Sequence, residues 1–146
     1  MKIYICTVCG HISFGNAPEK CPVCQAPKEK YQQNDQVFVE SQKKSPEAEV
    51  KHIPSVVINK TCGLIPDMGC VDVLIRIGAT LHPMEEKHFI QFIDCYLDGQ
   101  FVQRVELTPN GVYPAACIHL KKKDAKKITV VENCNIHGYW MKEVSL

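Results

Sequence analysis

Long apolar runs are missing from this sequence: the best candidate, Val71 to Ile77, is interrupted by Arg76. A membrane-spanning helix needs about 20 predominantly apolar residues, so none is expected. A secretory signal needs a basic start followed by roughly 7 to 15 apolar residues. The apolar run after Lys2 breaks within a few residues, and the chain is expected to stay in the cytoplasm. Net charge is also nearly absent. At a formal +1 over 146 residues there is no long-range field to draw the chain onto nucleic acid or an acidic membrane, and neither is expected as a partner. No helical stripe of useful length appears, and no internal repeat.

Cysteine, in contrast, is abundant. Nine cysteines are an odd number, and four of them stand in Cys-x-x-Cys pairs, which points to metal binding in a reducing compartment rather than to a disulfide framework. Cys6-Thr-Val-Cys9 and Cys21-Pro-Val-Cys24 are separated by eleven residues, a spacing that lets two tight loops offer four thiolates to one tetrahedral ion. A segment of about 35 residues buries too little apolar surface to fold alone, so the ion would supply folding free energy on the order of 10 kcal/mol. Four thiolates accept iron and zinc alike. Tyr4, Phe14 and Tyr31 read as the miniature core of this module.

Composition changes after this module, and residues 37–50 read as a polar linker, with Val37 and Val39 able to form a short edge strand. The expected division is therefore a metal-binding domain over 1–36, the linker over 37–50, and a second domain over 51–146. Within the last, strand-like runs recur about every ten residues: Val56 to Asn59, Val71 to Ile77, Phe89 to Leu97, Phe101 to Leu107, Ala115 to Leu120 and Ile128 to Val131. Asp98-Gly99 and Pro109-Asn110-Gly111 supply turns, and the pattern predicts a mainly β sandwich or barrel. The lysine run 121–127 reads as a solvated hairpin tip.

Three separated stretches of the second domain hold ligand-type residues: Lys51-His52, then His82-Pro-Met-Glu-Glu-Lys-His88, then Cys134-Asn-Ile-His137-Gly138-Tyr139-Trp140. Four imidazoles and a thiolate leave one position of an octahedron open, which is what direct binding of a small substrate requires. Glu85, Glu86 and Lys87 read as solvated, Tyr139 and Trp140 as packing. Cys62, Cys70, Cys95 and Cys117 read as buried free thiols, with Cys62 and Cys70 able to pair under oxidation. His11 and His119 carry no pattern.

The motifs His82-Pro-Met-x-x-x-His88 and Cys134-Asn-x-His137-Gly-x-Trp140 resemble the signatures of the superoxide reductase domain of desulfoferrodoxins and neelaredoxins, over residues 51–146. The front module resembles the rubredoxin-like domain of rubrerythrins, with Gln25 where that family places glycine. Together these resemblances imply an immunoglobulin-like β domain preceded by a rubredoxin-like metal knuckle. They imply iron held by His52, His82, His88 and His137 with Cys134 axial, and iron or zinc on Cys6, Cys9, Cys21 and Cys24. The implied activity is one-electron reduction of superoxide to hydrogen peroxide, with Lys51 as the catalytic side chain and a rubredoxin-type electron donor, in a homodimer or homotetramer. Val50 stands where the family commonly has glutamate, with Glu47 and Glu49 out of register, which leaves water, hydroxide or a shifted Glu49 to cap the ferric site. The alternative is a non-catalytic electron-transfer or iron-carrying protein.

Overall fold

The computed structural model describes residues 1–121 and 124–146. β1 (Ile3–Cys6), β2 (Ile12–Phe14) and β3 (Tyr31–Gln33) form a small antiparallel sheet in the order β2-β1-β3, which carries the front cysteine loops. Seven further strands build the main domain: β4 (Pro54–Asn59), β5 (Cys70–Ile77), β6 (Ile90–Leu97), β7 (Gln100–Glu106), β8 (Ala115–Lys121), β9 (Lys127–Cys134) and β10 (Gly138–Ser145). They pair as two open antiparallel sheets, β4-β5-β8 and β10-β9-β6-β7. Lettered A to G, these are A-B-E and G-F-C-D, an immunoglobulin-like sandwich rather than a closed barrel.

Alternation builds the core between the sheets. Val71, Val73, Ile75 and Ile77 point inward from β5 and meet Ile93 and Cys95 from β6 and Ile128 and Val130 from β9. β6 and β9 nevertheless show almost unbroken burial, because the front module covers their other face. Ile3 and Ile12 of that module pack with Tyr96, Val131 and Val37 in a second apolar cluster. The Asp98-Gly99 turn joins β6 to β7 with both residues at positive φ, 47° and 84°, as a two-residue hairpin of the primed type requires.

Several expectations are corrected. The segment read as a polar linker with a short edge strand contains α1 (Val37–Lys44), a 3-10 turn at Pro46–Ala48 and α2 (Glu49–His52). Val37 and Ser41, one turn apart, are the buried residues of α1, too narrow a stripe to show as periodicity; the helix is held by packing on β10. Strand β10 also escaped the sequence reading, since its charged outer positions Lys142 and Glu143 mask the alternation. The hairpin-tip reading falls partly on Lys122 and Lys123, outside the described residues. β8 and β9, which bracket that run, belong to different sheets and do not pair with each other.

Candidate metal centres

The front centre forms as the spacing predicts. Cys6 and Cys24 sulfurs lie 3.7 Å apart, those of Cys9 and Cys21 lie 3.5 Å apart, and all four fall within 4.8 Å of one another. The two loops match: Gly10 N donates to Cys6 O at 2.8 Å, and Gln25 N donates to Cys21 O at 3.0 Å. Gly10 and Gln25 occupy equivalent left-handed positions, φ 77° and 63°. Gln25 thus carries the strain that glycine would avoid, worth roughly 1 kcal/mol. Burial pushes the Cys9 thiol well up; at Cys21 burial acts the same way but is outweighed by the nearby Tyr31 hydroxyl and the N–H groups of Cys24 and Val23, which bring it down to about 6. All nine cysteines are free, so these four are not spent in disulfides. The set fits iron or zinc.

The second centre sits at one end of the sandwich. α2 brings His52, the stretch between β5 and β6 brings His82 and His88, the last residue of β9 is Cys134, and the β9–β10 connection brings His137; one donor atom of each lies within 4.8 Å of the others. His52 and His82 are buried, each 1% exposed, while His88 and His137 are half-buried. Nδ1 of His52 donates to Glu132 Oε1 at 2.9 Å and Nδ1 of His82 to Pro83 O at 2.6 Å, which leaves both Nε2 atoms facing the centre. His52 Nε2 lies 3.1 Å from His137 Nδ1, and Cys134 Sγ lies 3.8 Å from that same nitrogen. Nε2 of His82 and of His88 are buried without any hydrogen-bond partner. Buried polar atoms are rarely left so, and a cation at the point they share satisfies both. Four imidazole nitrogens and a thiolate suit ferrous iron.

Electrostatics prepare these groups. Burial, then the positive neighbours His82, His137, His88 and Lys51, lower His52 to about 3; burial leads again at His82, lowered to about 4, with His88, His137 and Lys51 adding to it. Both rings are therefore neutral near pH 7, the form that binds metal. Burial raises the Cys134 thiol, opposed by the N–H groups of His137 and Ile136, which donate to its sulfur. Lys51 is exposed next to His52, and its charge reaches His52, His82 and His88. Among the described residues no carboxylate joins the donor cluster; Val50 is 50% exposed and Glu49 lines a surface cleft with Ile53, Pro54 and Val144.

Supporting residues hold the three stretches in register. Asn135 Oδ1 accepts from Phe89 N at 2.9 Å and Asn135 Nδ2 donates to Lys87 O at 3.1 Å, stapling the Cys134 loop to the His88 loop. Trp140 stacks on His52 at 5.0 Å with planes 13° apart, and its Nε1 donates to His137 O at 3.2 Å. Gly78, at φ 88°, leaves no room for a side chain: a Cβ there would stand 2.6 Å from Lys51 O and 2.2 Å from Thr80 O.

Two supports were missed in the sequence. Glu132, fully buried under His52, has a visible signal: it is an acid inside the apolar run of β9, two residues before Cys134 and so on the same strand face. Ser41 of α1 accepts from Tyr139 N at 3.1 Å and packs on Gly138, fixing the loop beside His137; nothing in a polar stretch announces that role. His11, without a pattern in the sequence, is buried between the domains, stacked on Tyr96 and 3.4 Å from Asp94. Cys95 is buried as expected, but Cys117 is exposed and Cys62 half-buried.

Two sulfur-containing donor sets in one small β-rich chain define a non-haem metalloprotein with two centres. The family model described as Desulfoferrodoxin matches residues 41–143, and the one described as Rubrerythrin, rubredoxin-like domain matches residues 4–32. The chain belongs to the desulfoferrodoxin family. It is 34% identical over 146 residues to the desulfoferrodoxin of Syntrophotalea carbinolica, covering 98% of this chain and 96% of that protein. A superoxide reductase of Pyrococcus abyssi is 34% identical over 106 residues, 66% of this chain and 87% of that protein. Among solved structures, a superoxide reductase from Giardia intestinalis superposes with a TM-score of 0.55 at 27% identity, over 66% of this chain and 98% of that one. Among the described residues, no helix is long and apolar enough to cross a membrane.

Proposed function

We propose that the chain is a superoxide reductase, with His52, His82, His88, His137 and Cys134 as the iron ligands and Lys51 as the catalytic side chain. The observation that carries this reading is the convergence of five donor atoms from three distant stretches, with two buried Nε2 atoms that a cation at their common point would satisfy. Ferrous iron held by these five residues would supply one electron to superoxide. The protein's own groups do the rest. Glu132 and Pro83 O orient two of the imidazoles, and the N–H groups of Ile136 and His137 temper the electron density of the Cys134 sulfur. The Lys51 ammonium, exposed at the rim, attracts the anionic substrate and offers a charge beside the site where negative charge builds up. Two protons from solvent complete hydrogen peroxide.

A rubredoxin-type donor restores the ferrous state, either directly or through the front centre. One hydrogen bond links the two loops: Tyr139 OH donates to Gly10 O at 2.9 Å, next to Cys9, and Tyr139 is two residues from His137.

Counting products tests the proposal. A reductase gives one peroxide per superoxide consumed, a dismutase one per two, and an iron carrier none above background. Lys51→Ala lowers the second-order rate with superoxide and flattens its dependence on ionic strength. An unchanged rate and salt slope would remove Lys51 from the mechanism.

A further inference from the structure

A third set of metal-type donors lies on the outer face of the β4-β5-β8 sheet. Asp72 and His119 are register partners across β5 and β8, Cys70 stands two residues before Asp72 on the same face, and Cys62 reaches in from the β4–β5 connection. One ligand atom from each lies within 4.8 Å of the others. The set is distant from the histidine cluster. His52 adjoins Pro54, which pairs with Ile77, whereas Asp72 pairs with Asn59 at the far end of the same hairpin. Five residue steps of extended strand span roughly 17 Å.

The donor atoms crowd one point, where without a metal the Asp72 carboxylate can accept from His119, Cys62 and Cys70 together. His119 Nδ1 has Asp72 Oδ1 at 2.7 Å, Cys62 Sγ at 3.4 Å and Cys70 Sγ at 3.9 Å, yet a single ring nitrogen offers either one hydrogen or one lone pair. Cys70 Sγ also lies 3.7 Å from Asp72 Oδ1. The connection that carries Cys62 needs an anchor as well. From Lys60 to Gly69 every residue except Cys62 is exposed, Leu64 and Met68 at 73% and 75%, so no apolar contact of its own secures it.

We propose that Cys62, Cys70, Asp72 and His119 form a further metal site that takes zinc(II) as a four-coordinate structural ion and fastens the 60–69 connection to the sheet. Two thiolates, one imidazole and one carboxylate complete a tetrahedron with no vacant position, the mark of a structural rather than a catalytic zinc site. Binding displaces the proton of each thiol to solvent, two per ion, and nothing is oxidised or reduced. His119 binds through Nδ1 and keeps its Nε2 hydrogen.

The test uses the full chain, reduced and with iron in both other centres, equilibrated by dialysis against zinc(II) at micromolar concentration. The expected result is one zinc per chain with iron content unchanged, close to two protons released per zinc, and slower proteolysis within residues 60–69. Cys62→Ser and His119→Ala each lower the zinc affinity at least tenfold while keeping the iron and its visible spectrum, which shows that the variant is folded. Asp72→Asn, nearly isosteric, repeats the measurement if either of those loses iron. Cobalt(II) substitution adds a direct readout, with thiolate charge-transfer and tetrahedral ligand-field bands in the wild type that vanish in the variants. The proposal is overturned if the wild type takes up no zinc, if zinc displaces iron one for one, if the variants bind as the wild type does, or if Cys62 and Cys70 prove to be a disulfide in the protein as isolated.

Discussion

Replacing Glu132 with glutamine separates the energetics of the fold from those of the iron site. Glu132 is fully buried; Oε1 accepts from His52 Nδ1 at 2.9 Å, and Oε2 has no partner. Burial pushes its carboxyl well above the ordinary value, which favours the neutral form in the metal-free protein. Glutamine keeps the acceptor and the shape, and one buried unpaired neutral group replaces another. The metal-free protein should change in stability by at most about 1 kcal/mol. Iron alters the balance, because its charge, carried through His52, favours the carboxylate that glutamine cannot provide. Loss of such a partner behind a ligand histidine costs about 10- to 100-fold in metal affinity, or about 1.4–2.8 kcal/mol. Competition with a ferrous chelator measures the affinity, with iron on the four front cysteines as internal control, and denaturant unfolding of metal-free protein measures the fold. Iron affinity within twofold of wild type, or equal loss from both centres, would refute the role assigned to Glu132.

Gly78→Ala places a methyl group against Lys51 O and Thr80 O at a left-handed position, so it should displace α2 and strip iron from the histidine centre while sparing the front metal, as metal analysis would show. Asn135→Ala removes both staples between the Cys134 and His88 loops, at about 1 kcal/mol each, and should speed iron release to a chelator. Arg104→Ala leaves Asp94 buried without its two hydrogen bonds at 2.6 and 2.7 Å and frees Cys9 O, a loss of about 3–5 kcal/mol readable by denaturant unfolding. Protonation gives a further prediction. The folded metal-free protein holds His52 near 3 and His82 near 4 against an unfolded value of 6.5, so the unfolded state binds more protons below 6.5. Stability from these two rings is present above pH 6.5 and is lost as pH falls toward about 4 for His82 and about 3 for His52; a His52→Gln/His82→Gln variant should show a flatter curve across that window.

The ligand residues were legible because each centre is announced by short motifs whose spacing is itself the geometry. The two Cys-x-x-Cys pairs each close a tight loop here, and the core strands betray themselves by β-branched alternation, as in Val71 to Ile77. What stayed hidden depends on partners far along the chain. The eight residues of α1 begin with Val-Phe-Val, which reads as strand, and become a helix because Val37 joins the apolar cluster under the front module while Ser41 meets Gly138. Glu132 stands out as an acid in the apolar run of β9, but only the sheet shows that it lies beneath His52. Asp72 and His119 are 47 positions apart and meet only through the β5–β8 register, so neither suggested a ligand. The docking of the two domains was invisible for the same reason: Arg104, Asp94, His11 and Tyr96 are unremarkable polar or aromatic residues until the front module covers β6.

The most direct test of the account is the visible spectrum of the oxidised, iron-loaded chain, wild type against Cys134→Ser. The account predicts a thiolate-to-iron charge-transfer band that disappears in the variant while the absorption of iron on the four front cysteines persists. An identical band in Cys134→Ser, or a wild-type spectrum with no contribution beyond the front centre, would contradict it.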